Sequence, residues 1–399
     1  MAINSFIREY LTLALRINKI FDGYVDSYYG APELKALVDR EPVKSLKDLV
    51  GSVKKLLKEL PKQINDSLRE KCLRANLKSM EVFLDFQIGQ NVGFIEKIEA
   101  ILGIRPETFK NDKEFYELQD KYGQVFSGSG TLAERVESYK KRRYIPQNEI
   151  IPKFKRALEI TSKRTKELFP DLLPDSEFCE IQQANKEIGW SFYNHYKGNY
   201  ISVIEVNPYQ TLYWTTFLPN AAHEGYPGHH TEFTVKNKLL FNQLGWSEYC
   251  IILMNTPAGV ITEGIAETAP FMLFPPNKRV SVELEEFCIN PNEEDSIEAI
   301  VEQNEVKQKL NRFKIHLANL ANIDKWSEEQ LLQYGMNFGF YPKDNLQSLI
   351  HFILNPKFQI IHYTYNYGIE LIAKKFGFPP KLEDFKYLLC NPVLSSDLV

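Results

Sequence analysis

The stretch Ala222-His223-Glu224-Gly225-Tyr226-Pro227-Gly228-His229-His230-Thr231 constrains the fold more than any other part of the chain. It gathers three of the seven histidines in 399 residues around one glutamate. Imidazoles with a carboxylate beside them suit a zinc site, which needs borderline-soft nitrogen ligands and an acid/base group held near the metal without binding it. In the helical H-E-x-x-H pattern the second histidine follows the first by four residues and shares its face. Here that position is Pro227, which lacks a backbone N–H and whose ring would clash with the His223 carbonyl in a regular helix. The helix must therefore kink or bulge. In a kinked helix, seven residues at about 100° each return His230 to the His223 face. With Pro227-Gly228 extruded, His229 takes the place of the second ligand. Both geometries stay open, with His229 preferred; a plain Pro-Gly loop bearing polar residues is the bland alternative.

A third ligand is expected downstream. Thr262-Glu263-Gly264-Ile265-Ala266-Glu267-Thr268-Ala269 begins about forty residues after His223, and its alanines and glutamates suit a helix. Glu263 and Glu267, four apart, share a helical face. The spacing allows Glu263 to ligate while Glu267 supports the far nitrogen of a liganding histidine. An ordinary acidic helix face is the alternative, and the nearby histidine cluster argues against it.

The run His223-Glu224-x-x-Pro227-Gly228-His229-His230 followed by Glu263-Gly264-x-Ala266 resembles the uncharacterised prokaryotic family known as domain of unknown function 885, whose members carry H-E-x-x-P-G-H-H and then E-G-x-A. Members usually have Trp where Ile265 stands. The resemblance extends to Asp22-Gly23-Tyr24-Val25-Asp26-Ser27-Tyr28-Tyr29-Gly30 and to the tyrosine-rich tail near Gly368, and so covers most of the chain. That family is grouped with the gluzincin metallopeptidases, but no substrate is assigned to it. The resemblance implies a gluzincin-like zinc enzyme acting on peptides.

The rest of the chain sets the frame. An apolar content of 44% with 25% charged residues is that of a globular protein with a large core. A net charge of −4 offers neither a basic patch nor counterion release, so no nucleic-acid or membrane partner is expected. Five widely spaced cysteines without a C-x-x-C pair read as reduced core residues. The first 21 residues are interrupted by Arg8, Glu9, Arg16 and Lys19, which does not suit a signal peptide, and no long apolar run occurs, so a cytoplasmic location is expected.

Apolar residues recur at three-to-four spacing up to about Pro170, as in Leu49-Val53-Leu56-Leu57-Leu60. Thr131-Leu132-Ala133-Glu134 and Ser327-Glu328-Glu329-Gln330 read as capping boxes. Between about Phe178 and Pro208 the pattern turns to strand-like alternation, with Lys197-Gly198-Asn199 suggesting a hairpin. An acidic stretch through Glu293-Glu294-Asp295 precedes further helices, in which His316 and His351 sit in apolar surroundings and read as core. The tail Ile360-Ile361-His362-Tyr363-Thr364-Tyr365-Asn366-Tyr367-Gly368 concentrates phenols and an imidazole. Tyr365 is the first candidate for a hydrogen-bond donor to an oxyanion and His362 the second, with an aromatic core strip as the alternative.

These readings converge on a mainly α fold with a small β-sheet (α+β), in which two helical lobes flank a metal-site cleft. The expected division is an N-terminal helical lobe at 1–170, the sheet and metal-binding helices at 171–270, and a C-terminal helical lobe at 271–399. The expected metal is one zinc per chain, held by His223, His229 or His230, and Glu263, with Glu267 behind them and Glu224 as general base. The expected substrate is a peptide or small amide. A hydrolase of non-peptide amides or esters, and a non-catalytic helical binding protein with a structural metal, are the alternatives.

Overall fold

Amphipathic periodicity makes the N-terminal part helical, as the spacing predicts. The helix Ser5–Ile20 opens on Asn4, whose side chain accepts from the Phe6 amide, and it buries Phe6, Tyr10, Leu11, Ala14 and Ile17 on one side. The long helix Ser67–Gln87 is capped in the same way by Asp66. Both expected capping boxes are present: the hydroxyl and amide of Thr131 and Ser327 exchange hydrogen bonds with Glu134 and Gln330. The computed structural model describes residues 4–89, 93–185, 189–289, 295–356 and 358–399. Glu293 and Glu294 of the acidic stretch lie outside the described residues.

Five short strands interrupt the helices: β1 (Val25–Tyr28), β2 (Phe178–Gln183), β3 (Phe192–Gly198), β4 (Ile201–Val206) and β5 (Ile251–Leu253). Strands β2, β4 and β3 form one sheet in that order. β4 pairs parallel with β2 and antiparallel with β3. The β3–β4 hairpin turns through Gly198, Asn199 and Tyr200, all at positive φ, where the expected Lys197-Gly198-Asn199 run lies. β1 pairs antiparallel with β5, which places Val25 opposite Leu253 and Tyr28 opposite Ile251. This small pairing fastens the N-terminal Asp22–Gly30 run to the chain that follows the histidine cluster. The protein is thus mainly α with a small sheet, as expected.

Three buried apolar clusters hold these elements. One gathers the first four helices with Cys250, Ile251 and Leu253. A second packs the helices between Phe94 and Lys141 against the C-terminal helices. The third lies between the helix Gln147–Leu168, the sheet and the helix Pro276–Glu286. Residues of segment 1–170 contribute to all three.

A cleft of about 830 Å³ opens where the clusters meet. Asp22, Asp26 and Leu73 line it from the N-terminal side, Tyr193 and Asn194 from β3, and Phe352 and Tyr365 from the C-terminal helices. His223, Glu224, His229 and Glu263 also face it.

Candidate metal centre

The histidine cluster is held by a break in the helix that Pro227 requires. From Ala221 to Gly225 the chain winds as a π-helical turn, after which the Tyr226 amide bonds the Ala221 carbonyl at 3.1 Å and the Gly228 amide bonds the Ala222 carbonyl at 2.9 Å. A new helix, His229–Lys236, begins directly afterwards. A Cβ on Gly228 would collide with the carbonyl oxygens of His223 and Ala222, so only glycine lets the two segments fold this closely. The Asn194 amide donates to the Glu224 carbonyl at 2.6 Å, satisfying a backbone acceptor at the end of the π turn. Pro227-Gly228 is thereby looped out, and His229 meets His223 with ring centroids 4.8 Å apart at 88°.

Two carboxylates stand beside these imidazoles. Glu263 Oε2, from the helix Pro257–Leu273, lies 3.6 Å from His223 Nε2 and 3.7 Å from His229 Nε2. Glu224 Oε1 lies 3.9 Å from His223 Nε2, and one ligand atom each of His223, Glu224 and His229 falls within 4.8 Å of the other two. Donor atoms bound at about 2.0–2.1 Å to a tetrahedral ion stand about 3.4 Å apart. Glu263 is near that separation from both imidazoles, so His223, His229 and Glu263 can share one ion, with Glu224 also within reach of it.

The electrostatics fit a cation. Burial pushes the Glu224 carboxyl up, and burial with the Glu224, Glu267 and Asp26 charges pushes Glu263 well above the usual carboxylate range. Burial, with His223 adding to it, holds His229 well below its usual value and hence neutral. Glu263 Oε2 and His229 Nδ1 are buried with no hydrogen-bond partner. A neutral imidazole at His229 beside carboxylates that are costly to ionise suits a divalent ion. His223, His229 and Glu263 would hold it. Glu267 Oε1 stands 3.6 Å from His223 Nδ1, on the far side of that ring, where a supporting carboxylate belongs.

Tyr365 reaches the site from the helix Ile361–Phe376. Its ring lies 6.5 Å from that of His223, roughly parallel to it. The Glu263 charge, followed by burial, pushes its phenol well above 10, so it is a neutral hydrogen-bond donor. The approach depends on two glycines. A Cβ on Gly264 would sit 2.5 Å from the Gly368 carbonyl carbon, and one on Gly368 would strike the Val260 carbonyl oxygen. The glycine after Glu263 and the glycine three residues after Tyr365 are thus the contact that brings both side chains to one place.

Two expected site residues are placed elsewhere. His230 is fully buried, and both its ring nitrogens are occupied, Nδ1 by Ser202 Oγ and Nε2 by Glu177 Oε2, each at 2.8 Å. It faces the sheet and is not a ligand, because the new helix starting at His229 turns consecutive side chains about 100° apart. His362 does not line the cleft; it lines a separate small chamber beside Glu267 and Lys314, with its ring edge-on to Phe352 at 4.9 Å. Of the two histidines expected in the core, His316 stacks on Phe115 at 5.0 Å, whereas His351 is exposed and pairs with Glu328 at 2.8 Å.

Asp26 and Tyr193 had no expected role. The Tyr193 hydroxyl donates to Asp26, both line the cleft, and the Asp26 charge reaches Glu224 and Glu263. The signal was present in the Asp22–Gly30 run of the resemblance, but nothing local to that run assigns it a place in the site.

No family model and no curated protein matches the chain. Among solved structures it is similar to a Shewanella oneidensis protein described as "a putative lipoprotein of unknown function", at 13% identity and a TM-score of 0.51, with the match covering 92% of this chain and 75% of that one. At that identity the likeness bears on the fold alone. Among the described residues, no helix is long and apolar enough to cross a membrane.

Proposed function

We propose that this chain is a zinc-dependent hydrolase of peptide or related amide bonds. The observation that carries this reading is the buried, unpartnered Glu263 Oε2 set 3.6 and 3.7 Å from two imidazole nitrogens, with a second carboxylate, Glu224, free alongside in an open cleft. A structural zinc site is closed by four protein ligands. Three ligands plus a separate acid/base group describe a catalytic site instead.

Zinc bound there supplies Lewis acidity, which polarises a carbonyl and makes water acidic enough to lose a proton near neutral pH. Glu224, raised by burial, is suited to accept that proton as the water oxygen attacks the carbonyl carbon. It then returns the proton to the nitrogen as the C–N bond breaks. Tyr365 faces the same space and donates to the oxygen on which negative charge develops. A peptide is favoured because β3, an edge strand of its sheet, lines the cleft through Phe192, Tyr193, Asn194 and His195. The edge is open to an extended backbone only short of Tyr196, whose carbonyl accepts from the Ser27 hydroxyl.

The test is metal content followed by one variant. About one zinc per chain is expected in protein prepared without chelator, and Glu224→Gln should keep that zinc while losing peptide hydrolysis by several orders of magnitude. Absence of any bound or added transition metal would defeat the reading. Loss of zinc from Glu224→Gln would make Glu224 a ligand and reverse the roles of the two glutamates.

A further inference from the structure

Behind Tyr365 lies a second, smaller space of about 350 Å³, lined by Lys314, His362, Asn311 and Glu267 among others. Phe352 and Tyr365 line both this chamber and the main cleft, so the two spaces adjoin at these side chains. Glu267 ties the two together, since it faces the chamber and stands 3.6 Å from His223 Nδ1.

The groups in the chamber are not matched by one another. His362 is 7% exposed, and its Nε2 has no hydrogen-bond partner. Burial, and then the Lys314 charge, lower its pKa to about 4, so the ring is neutral near pH 7 and one nitrogen carries a proton to donate. Lys314 Nζ reaches the Asn311 side-chain oxygen at 3.2 Å, and among the described residues it makes no ion pair. Burial pushes its ammonium down, while the charge of Glu267, turned toward His223, acts on it only from a distance. A half-buried ammonium without an ion pair, lining the same space as an unpartnered ring nitrogen, offers that space two donors with no acceptor between them. A small anion can accept from both, and a carboxylate has the right size and two acceptor oxygens.

We propose that the Lys314–His362 chamber receives the terminal carboxylate of a peptide, so that the substrates carry a free C-terminus close to the cleaved bond. The inference rests on the hydrolase reading for the source of the carboxylate, though not for the anion site itself. Glu267, which lines the chamber with Lys314, stands 3.6 Å from His223 Nδ1, so the chamber adjoins the place where a bond would be held.

Binding, measured without turnover, tests this. Zinc-loaded Glu224→Gln protein is titrated calorimetrically with trialanine and with trialanine amide, in the Lys314 background and in Lys314→Met and Lys314→Arg. The acid should bind about tenfold or more tightly than the amide, Lys314→Met should abolish the preference, and Lys314→Arg should keep most of it. A parallel arm follows the thermal midpoint of otherwise unaltered protein in acetate and in acetamide at equal ionic strength. Acetate alone should raise it, and not in Lys314→Met. Equal binding of acid and amide together with no acetate effect overturns the site. Equal binding with a Lys314-dependent acetate effect overturns the substrate assignment and leaves a site for a free anion. If neither peptide binds and zinc is not retained, the hydrolase reading fails with the substrate assignment, and the acetate arm alone decides the anion site.

Discussion

His229 and His230 are neighbours in sequence with opposite fates. His229 faces the cleft with Nε2 3.7 Å from Glu263 and with Nδ1 unpartnered. His230 faces the sheet, its two nitrogens taken up by Ser202 and Glu177, and the Tyr226 ring packs against it at 4.8 Å. A histidine satisfied on both nitrogens by the protein has no lone pair left for a metal, whereas His229 Nε2 faces Glu263 from 3.7 Å, beyond hydrogen-bond distance. The contrast separates a candidate ligand from a structural imidazole by hydrogen-bond satisfaction, where residue type and burial do not, since both are buried.

The comparison breaks most sharply on metal content. His223→Ala and His229→Ala should each lose zinc at chelator concentrations the parent withstands, while His230→Ala should retain it per folded molecule; elemental analysis after gel filtration reads both. Zinc loss from His230→Ala with retention in His229→Ala would reverse the assignment. Tyr365→Phe comes next: steady-state kinetics should show a loss of about 10²–10³ in turnover with zinc content and thermal midpoint almost unchanged. A fall in stability with full activity per folded molecule would return the phenol to a purely structural role.

His230→Ala itself should cost stability, about 2–4 kcal/mol by denaturant titration, because it removes two buried hydrogen bonds and leaves a cavity. Its partner sharpens the point through pH. Burial pushes Glu177 up, but hydrogen bonds from His230, Lys166 and Tyr226 outweigh it and hold the carboxyl at about 2. A carboxylate whose pKa is lower folded than unfolded contributes stability above about pH 4.3 and loses it as the pH falls toward the folded value. The parent should therefore lose stability between about pH 4.3 and about 2 more steeply than Glu177→Gln, and parallel curves for the two would remove the ionic part of this contact. The smallest effect is expected at Glu267→Ala, which should weaken zinc binding by about 10–100-fold, against near-complete loss in Glu263→Ala. Equal losses would mean that the ligand and its support have been exchanged.

What could be read in advance follows from how local each cause is. Pro227 excludes a regular helix by a clash with the chain four residues back, so the break was legible, and the extruded form that places His229 was one of two geometries the spacing allowed. The capping boxes at Thr131 and Ser327 and the turn at Gly198 close over three or four residues, and each is where its sequence signal stood. His362 was misplaced for the complementary reason. It shares a helix with Tyr365, but which wall of the lobe its ring faces depends on Phe352, Lys314 and Glu267, none of them its sequence neighbours.

The sequence by itself determined which histidines and glutamates are the candidate donors, a helix that had to break at Pro227, and the mainly helical frame with one small sheet, because each follows from residue chemistry or from contacts within a few positions. Only the tertiary structure decided that His230 is satisfied by Ser202 and Glu177, that Glu263 stands between the two imidazoles, and that Gly264 and Gly368 touch so that Tyr365 reaches His223. It also decided that Asp26 and Tyr193, from segments far apart in the chain, line the same cleft. Spacing orients a side chain only relative to its own backbone. Whether its polar atoms are left free for a ligand depends on what the rest of the fold brings against them.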